Sequence, residues 1–261
     1  MREIRKSDQA SVYEKYEKLL LERDALRKEA GSCLTAYIKE FGEFITKVFE
    51  KKIDCISRKK SIAFCQAAVN RGEPVNASEL QNYIETTMRE YNAQLAQMIE
   101  EYREAQKVGT STEYDCIRSK LLYRRIAKLI HPDISPKAWE YPEIADLWNR
   151  TLTAYGLNDA EELTAIEVLV HKALDDHGFE PGELVLENLD ERIAQLEEEI
   201  SKIISTDPYR YKDLLEDAAA VAEKKRALEK EYASYARYAD ELEKTLKQLL
   251  MRGVIIEWQE S

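Results

Sequence analysis

The chain has 261 residues and is 44% hydrophobic, enough to build a packed core in one or two domains. Its 50 acidic and 39 basic residues give a formal charge of −11, which argues against general binding to nucleic acid or to anionic membranes. Only 8 Gly and 6 Pro are present, so the composition leaves little room for turns and predicts long helices.

The N-terminal segment has no apolar signal core, and no uninterrupted apolar run approaches the length of about 18 residues that a membrane span needs. Cys33, Cys55, Cys65 and Cys116 lack CxxC spacing and neighbouring histidines. Reduced thiols in a cytoplasmic protein are therefore expected, with no metal site, no disulfide framework and no cofactor.

Residues 8 to about 52 contain no proline, and Tyr16, Leu20, Leu34, Phe41, Ile45 and Val48 follow helical spacing. One long helix is predicted there, with a kink admissible at Gly31. Gly31 and Gly42 weaken it by about 1 kcal/mol each relative to alanine. A second helical stretch over about 53–70 ends at NRGEP, where Gly72 can cap and Pro74 blocks continuation. Asn76 or Ser78 can then cap a third helix over about 79–107, and KVGTSTEYD marks a loop. The apolar faces of these helices read as the core of an antiparallel bundle.

The stretch 118–136, RSKLLYRRIAKLIHPDISP, carries the strongest local signal. Leu122, Ile126, Leu129 and Ile130 form one helical face, while Lys120, Arg124 and Lys128 recur every four residues on the opposite side, flanked by Arg118 and Arg125. Pro132 stops this basic helix near His131. Trp139 and Tyr141 can anchor the loop that follows. Helices over about 143–156 and from Asp159 onward are predicted next, and His171 and His177 have no companion ligands.

In the C-terminal third, Leu186, Leu189, Ile193, Leu196, Ile200 and Ile203 alternate spacings of three and four, the seam of a coiled coil. After STDPY, a longer helix over about 209–251 places Leu214, Val221, Leu228, Tyr235, Leu242 and Leu249 at seven-residue intervals. These two helices are expected to form an antiparallel hairpin. The longer one must lay its remaining length on the N-terminal helix or on another copy of the chain.

The stretch YRRIAKLIHPD, residues 123–133, resembles the second helix and turn of the J-domain, the defining module of DnaJ-like co-chaperones. Tyr123, Arg124, Arg125, Ile126, Ala127, His131, Pro132 and Asp133 fall at matching positions, and Trp148, Ala154 and Tyr155 match the family's third helix. Leu129 stands where the family has a basic residue, and neither a glycine/phenylalanine-rich linker nor zinc repeats are present. The expected fold is all-α: an N-terminal long-helix region (1–100), a central J-domain-like module (101–178) and a C-terminal coiled-coil hairpin (179–261).

The resemblance implies a co-chaperone that docks on a DnaK-type ATPase and stimulates its ATP hydrolysis, the helical arms binding an unidentified client. Lys120, Arg124, Arg125 and Lys128 would steer docking, and His131, Pro132 and Asp133 would trigger hydrolysis. The competing expectation is a scaffolding protein with a degenerate module of the same shape, in which His131 and Asp133 are buried or bonded internally. Pairing of two copies through the C-terminal coiled coil is open on either view. The chain carries no GxSxG, P-loop, Rossmann or HExxH motif, so a non-enzyme is expected.

Overall fold

The computed structural model describes residues 6–109, 111–179, 188–251 and 256–257. It is all-α, as the composition and periodicity predict. The helices are α1 (Lys6–Arg71), α2 (Ala77–Lys107), α3 (Glu113–Ile130), α4 (Pro142–Gly156), α5 (Ala160–Asp176), α6 (Leu189–Ser205), α7 (Tyr211–Glu216) and α8 (Ala218–Met251). A short 3-10 helix, Pro136–Glu140, lies between α3 and α4. The two-residue segments Val75–Asn76 (β1) and Ile256–Glu257 (β2) pair in parallel.

Helix α1 runs for 66 residues without the boundary expected near residue 52. The polar stretch there is internally satisfied, because Asp54 accepts from Lys51 and Arg58, three and four residues away on one face. The helix ends at Gly72, whose φ of +69° suits the left-handed C-terminal cap. Gly72 N donates to Val69 O and Glu73 N to Ala68 O, the paired bonds that close a helix end. Asn76 then caps α2, its side chain accepting from Ser78 N and Glu79 N.

The chain divides into two compact units, Met1–Cys33 with Gly109–Arg210 and Leu34–Val108 with Tyr211–Ser261. This partition cuts across the three consecutive regions expected from sequence.

In the second unit, α2 runs antiparallel to the later part of α1. Tyr102 lies over Gly42, and Tyr83 packs on Phe64 at 5.3 Å between ring centroids. Helix α8 runs parallel to the same part of α1: Lys225 pairs with Glu40, Cys55 Sγ reaches Tyr235 O, and Arg58 joins Glu243 at 2.8 Å. Leu246 and Leu249 pack on a buried cluster of Cys65, Ala68 and Val75. The single helix expected over 209–251 is interrupted at Asp217, whose carboxylate accepts from Ala219 N and Ala220 N and so starts α8 afresh.

In the first unit, the seam of α6 is covered by the start of α1. Ile193 and Leu196 pack with Tyr16, Leu20 and Ile134, while Lys15 bridges to Glu197 and Arg27 to Glu199. Within its own unit each seam thus packs on α1, that of α6 on its start and that of α8 on its later part. A heptad seam demands an apolar partner without specifying which one. Leu186 lies outside the described residues.

The two helical glycines of α1 differ in surroundings. A Cβ added to Gly42 would lie 2.6 Å from the ring carbon Cδ2 of Tyr102, whereas one on Gly31 meets nothing within 4 Å. Gly31→Ala is expected to stabilise the fold by about 0.5–1 kcal/mol through helix propensity. Gly42→Ala is expected to lose that gain and destabilise by about 1–3 kcal/mol, because a ring in a packed interface must move. Urea unfolding of the two variants checks this, and equal stabilisation by both would refute the close approach.

Candidate functional site

The stretch 113–135 sits in the first unit. Thr112 caps α3 by accepting from Asp115 N, and the buried face carries Leu122, Tyr123, Ile126, Ala127 and Ile130. This face packs against α4 and α5 in one cluster that also holds Leu147, Trp148, Tyr155, Leu163 and Ile166, and to which α1 contributes Leu21. Tyr123 stacks on Tyr155 at 4.1 Å with the rings 9° from parallel.

Helix α3 stops at His131 as Pro132 requires. Ile134 N and Ser135 N both donate to His131 O, which folds the His-Pro-Asp segment into a tight turn. Trp139 Nε1 donates to Ile130 O at 2.9 Å, satisfying one of the carbonyls left free at the helix end. That is the anchoring role expected of Trp139.

His131 is 3% exposed. Its Nδ1 accepts from Asp133 N at 3.0 Å, so the proton belongs on Nε2, which lies 3.4 Å from Asp24 Oδ2. The ring meets Trp148 edge-on at 4.9 Å. Asp24 also accepts from Tyr123 Oη at 2.8 Å and pairs with Arg23 at 2.9 Å. Burial opposes ionisation of this carboxyl, but the bonds from His131, Tyr123 and Arg23 together with the guanidinium charge hold it below the usual carboxylate range.

The other expected site residues divide. Arg125 makes two hydrogen bonds to Glu167 on α5, at 2.6 and 2.8 Å, and Lys128 pairs with Glu17 on α1 at 2.7 Å. Pro132 is half-buried, and the Asp133 side chain is 43% exposed. Lys120 and Arg124 are exposed and have no carboxylate within ion-pair distance among the described residues. The helix therefore does not present a single free basic stripe, because α1 lies antiparallel along part of it.

Sequence reasoning missed Asp24 and the whole role of α1 in this site. A signal existed: Asp24 falls four residues after Leu20 and eight after Tyr16, on the apolar stripe of the helix, where an unpaired carboxylate would be costly. His177, which has no companion ligands in the sequence, stacks on Tyr141 at 3.9 Å and bonds Glu143.

Cys33, Cys55 and Cys65 are buried and Cys116 is exposed. Among the described residues no helix is long and apolar enough to cross a membrane. No protein-family model, curated protein or solved structure matches this chain.

Proposed function

We propose that the chain is a non-enzymatic helical scaffolding protein in which a module resembling a J-domain serves for packing and partner binding. The observation that carries this reading is the burial of His131, whose ring nitrogens are engaged by Asp133 N–H and Asp24 and whose edge is covered by Trp148. A residue that triggers a partner by contact must reach that partner, and this one faces α1 instead. The neutralisation of Arg125 by Glu167 and of Lys128 by Glu17 supports the same view, since a steering surface loses reach when its charges are already paired. Exposed Tyr114, Ile117 and Leu121, at spacings of three and four on α3, add apolar area suited to a protein partner.

A second reading is favoured by one observation. The carboxylate of Asp133 is partly exposed and accepts no hydrogen bond among the described residues, and Lys120 and Arg124 remain unpaired. These groups would suit docking on a DnaK-type ATPase, with α1 displaced when the partner binds and the client held elsewhere on the helices.

An ATPase assay separates the two. On the scaffolding reading, the purified chain leaves the ATP turnover of the source organism's DnaK-type chaperones at its basal rate, and His131→Gln changes nothing. A several-fold stimulation that His131→Gln abolishes would overturn it in favour of the co-chaperone.

A further inference from the structure

A cleft of about 490 Å³ opens where the first part of α1 passes the start of α3 and the end of α4. Lys28 reaches into it from α1, with Lys120 and Arg124 from α3. Lys28 Nζ sits 3.7 Å from the centre of the Tyr155 ring and donates to Asn158 Oδ1 at 2.5 Å. Asn158 is itself held by the fold. Its φ of +56° closes the end of α4, through Asp159 N to Ala154 O, and its Nδ2 donates to Ser111 Oγ.

The ammonium of Lys28 is thus half-buried against a ring face and a neutral amide, and among the described residues no carboxylate lies within ion-pair distance of it. Among the described residues Lys120 and Arg124 lack one too, although Arg125 and Lys128 on the same helix each have one. Lys18, Lys28, Lys120 and Arg124 are four cations around a cleft whose lining holds two carboxylates, Glu22 and Glu29, a positive excess in a chain of net charge −11.

We propose that this cleft binds a small phosphate-bearing molecule, its anionic group held by Lys28, Lys120 and Arg124 and oriented by Asn158 and Tyr155. The volume is that of a small-ligand site. A protein partner would instead need about 800 Å² of its own surface, far more than such a cleft offers. Lysine and arginine donors matched to phosphate oxygens supply both charge and hydrogen bonds.

The site makes a pH signature. Burial is the main influence lowering the Lys28 pKa, to about 8, with Lys120 acting in the same direction and the Cys116 thiol opposing it. The remaining charged groups around the cleft are Lys18, Glu22 and Glu29 of α1 and Arg124 of α3. An anion favours the charged ammonium, so affinity should be highest below pH 8 and fall about tenfold between pH 7 and pH 9 as Lys28 loses its proton.

Isothermal titration of the full chain with inorganic pyrophosphate tests the proposal. One saturable site is expected at pH 7, weakening with salt. Lys28→Gln and Arg124→Gln should each reduce affinity at least about tenfold, whereas Arg125→Gln, on the other side of α3, should leave it unchanged. If Lys28→Gln fails to fold, the exposed Lys120→Gln carries the same test. Absence of saturable binding, or equal binding by all variants, overturns the proposal. So does co-sedimentation with phosphatidylcholine vesicles containing phosphatidic acid in the absence of pyrophosphate binding, which would assign the cations to a lipid headgroup.

Discussion

Tyr123→Ala is expected to destabilise the first unit by about 3–5 kcal/mol, enough to abolish cooperative folding in a marginally stable protein. Tyr123 is 2% exposed, stacks on Tyr155 and lies 5.8 Å from Trp148 between ring centroids. Removing the ring leaves a cavity between α3 and α4, and the hydroxyl takes with it a bond to Asp24. The two losses can be separated. Tyr123→Phe keeps the ring and should cost only about 1–2 kcal/mol, since Asp24 retains Arg23 and His131 as partners. Chemical denaturation read by far-UV circular dichroism measures both, and a Tyr123→Ala variant as stable as Tyr123→Phe would contradict the packing described.

The second large effect concerns His131. Its replacement by alanine should cost about 2–4 kcal/mol, because it leaves Asp133 N–H without its acceptor and Asp24 without one donor, and it empties space beside Trp148. A histidine presented to solvent as a trigger would instead be replaceable within about 0.5 kcal/mol. Thermal unfolding of His131→Ala therefore reports on the role of the turn without any partner present. A melting temperature equal to that of the unaltered chain would show that His131 is not the packed residue described, and would reopen the co-chaperone reading.

Burial of His131 also bears on the proposed function. Residues Tyr123 to Asp133 form a basic helix ending in a proline turn, and Trp148, Ala154 and Tyr155 line the opposing helix in one buried cluster. What stands over them is α1, supplying Asp24 to the histidine and Glu17 to Lys128. His131, Arg125 and Lys128 are thus engaged within the chain, while Lys120, Arg124 and the Asp133 carboxylate have no such partner among the described residues.

Much of the local structure was legible without coordinates, because its causes lie within a few residues of chain. Asn76 and Asp159 cap the helices that follow them, Gly72 ends α1, and Pro132 ends α3, each through bonds spanning at most five residues. The all-α class followed in the same way from few glycines and prolines and from helical apolar spacing. The helix break at Asp217 belongs to this local category as well, though the regular heptad spacing across it hid the signal.

Tertiary structure alone decided which apolar stripe covers which. The seams of α6 and α8 were plain in the sequence, yet one closes on the start of α1 and the other on its later part, because any complementary stripe of adequate length can bury a seam. The same holds for single residues. Gly42 reads as a weak point of a helix until Tyr102 is found lying on it, and Asp24 reads as surface charge until His131 and Tyr123 are found bonded to it. Sequence determined the helix ends marked by Gly72, Asn76, Pro132 and Asp159 and that a basic helix leads into a His-Pro-Asp turn. Only long-range packing, which couples residues far apart in the chain, decided that His131 of this turn faces inward while the Asp133 side chain stays partly exposed.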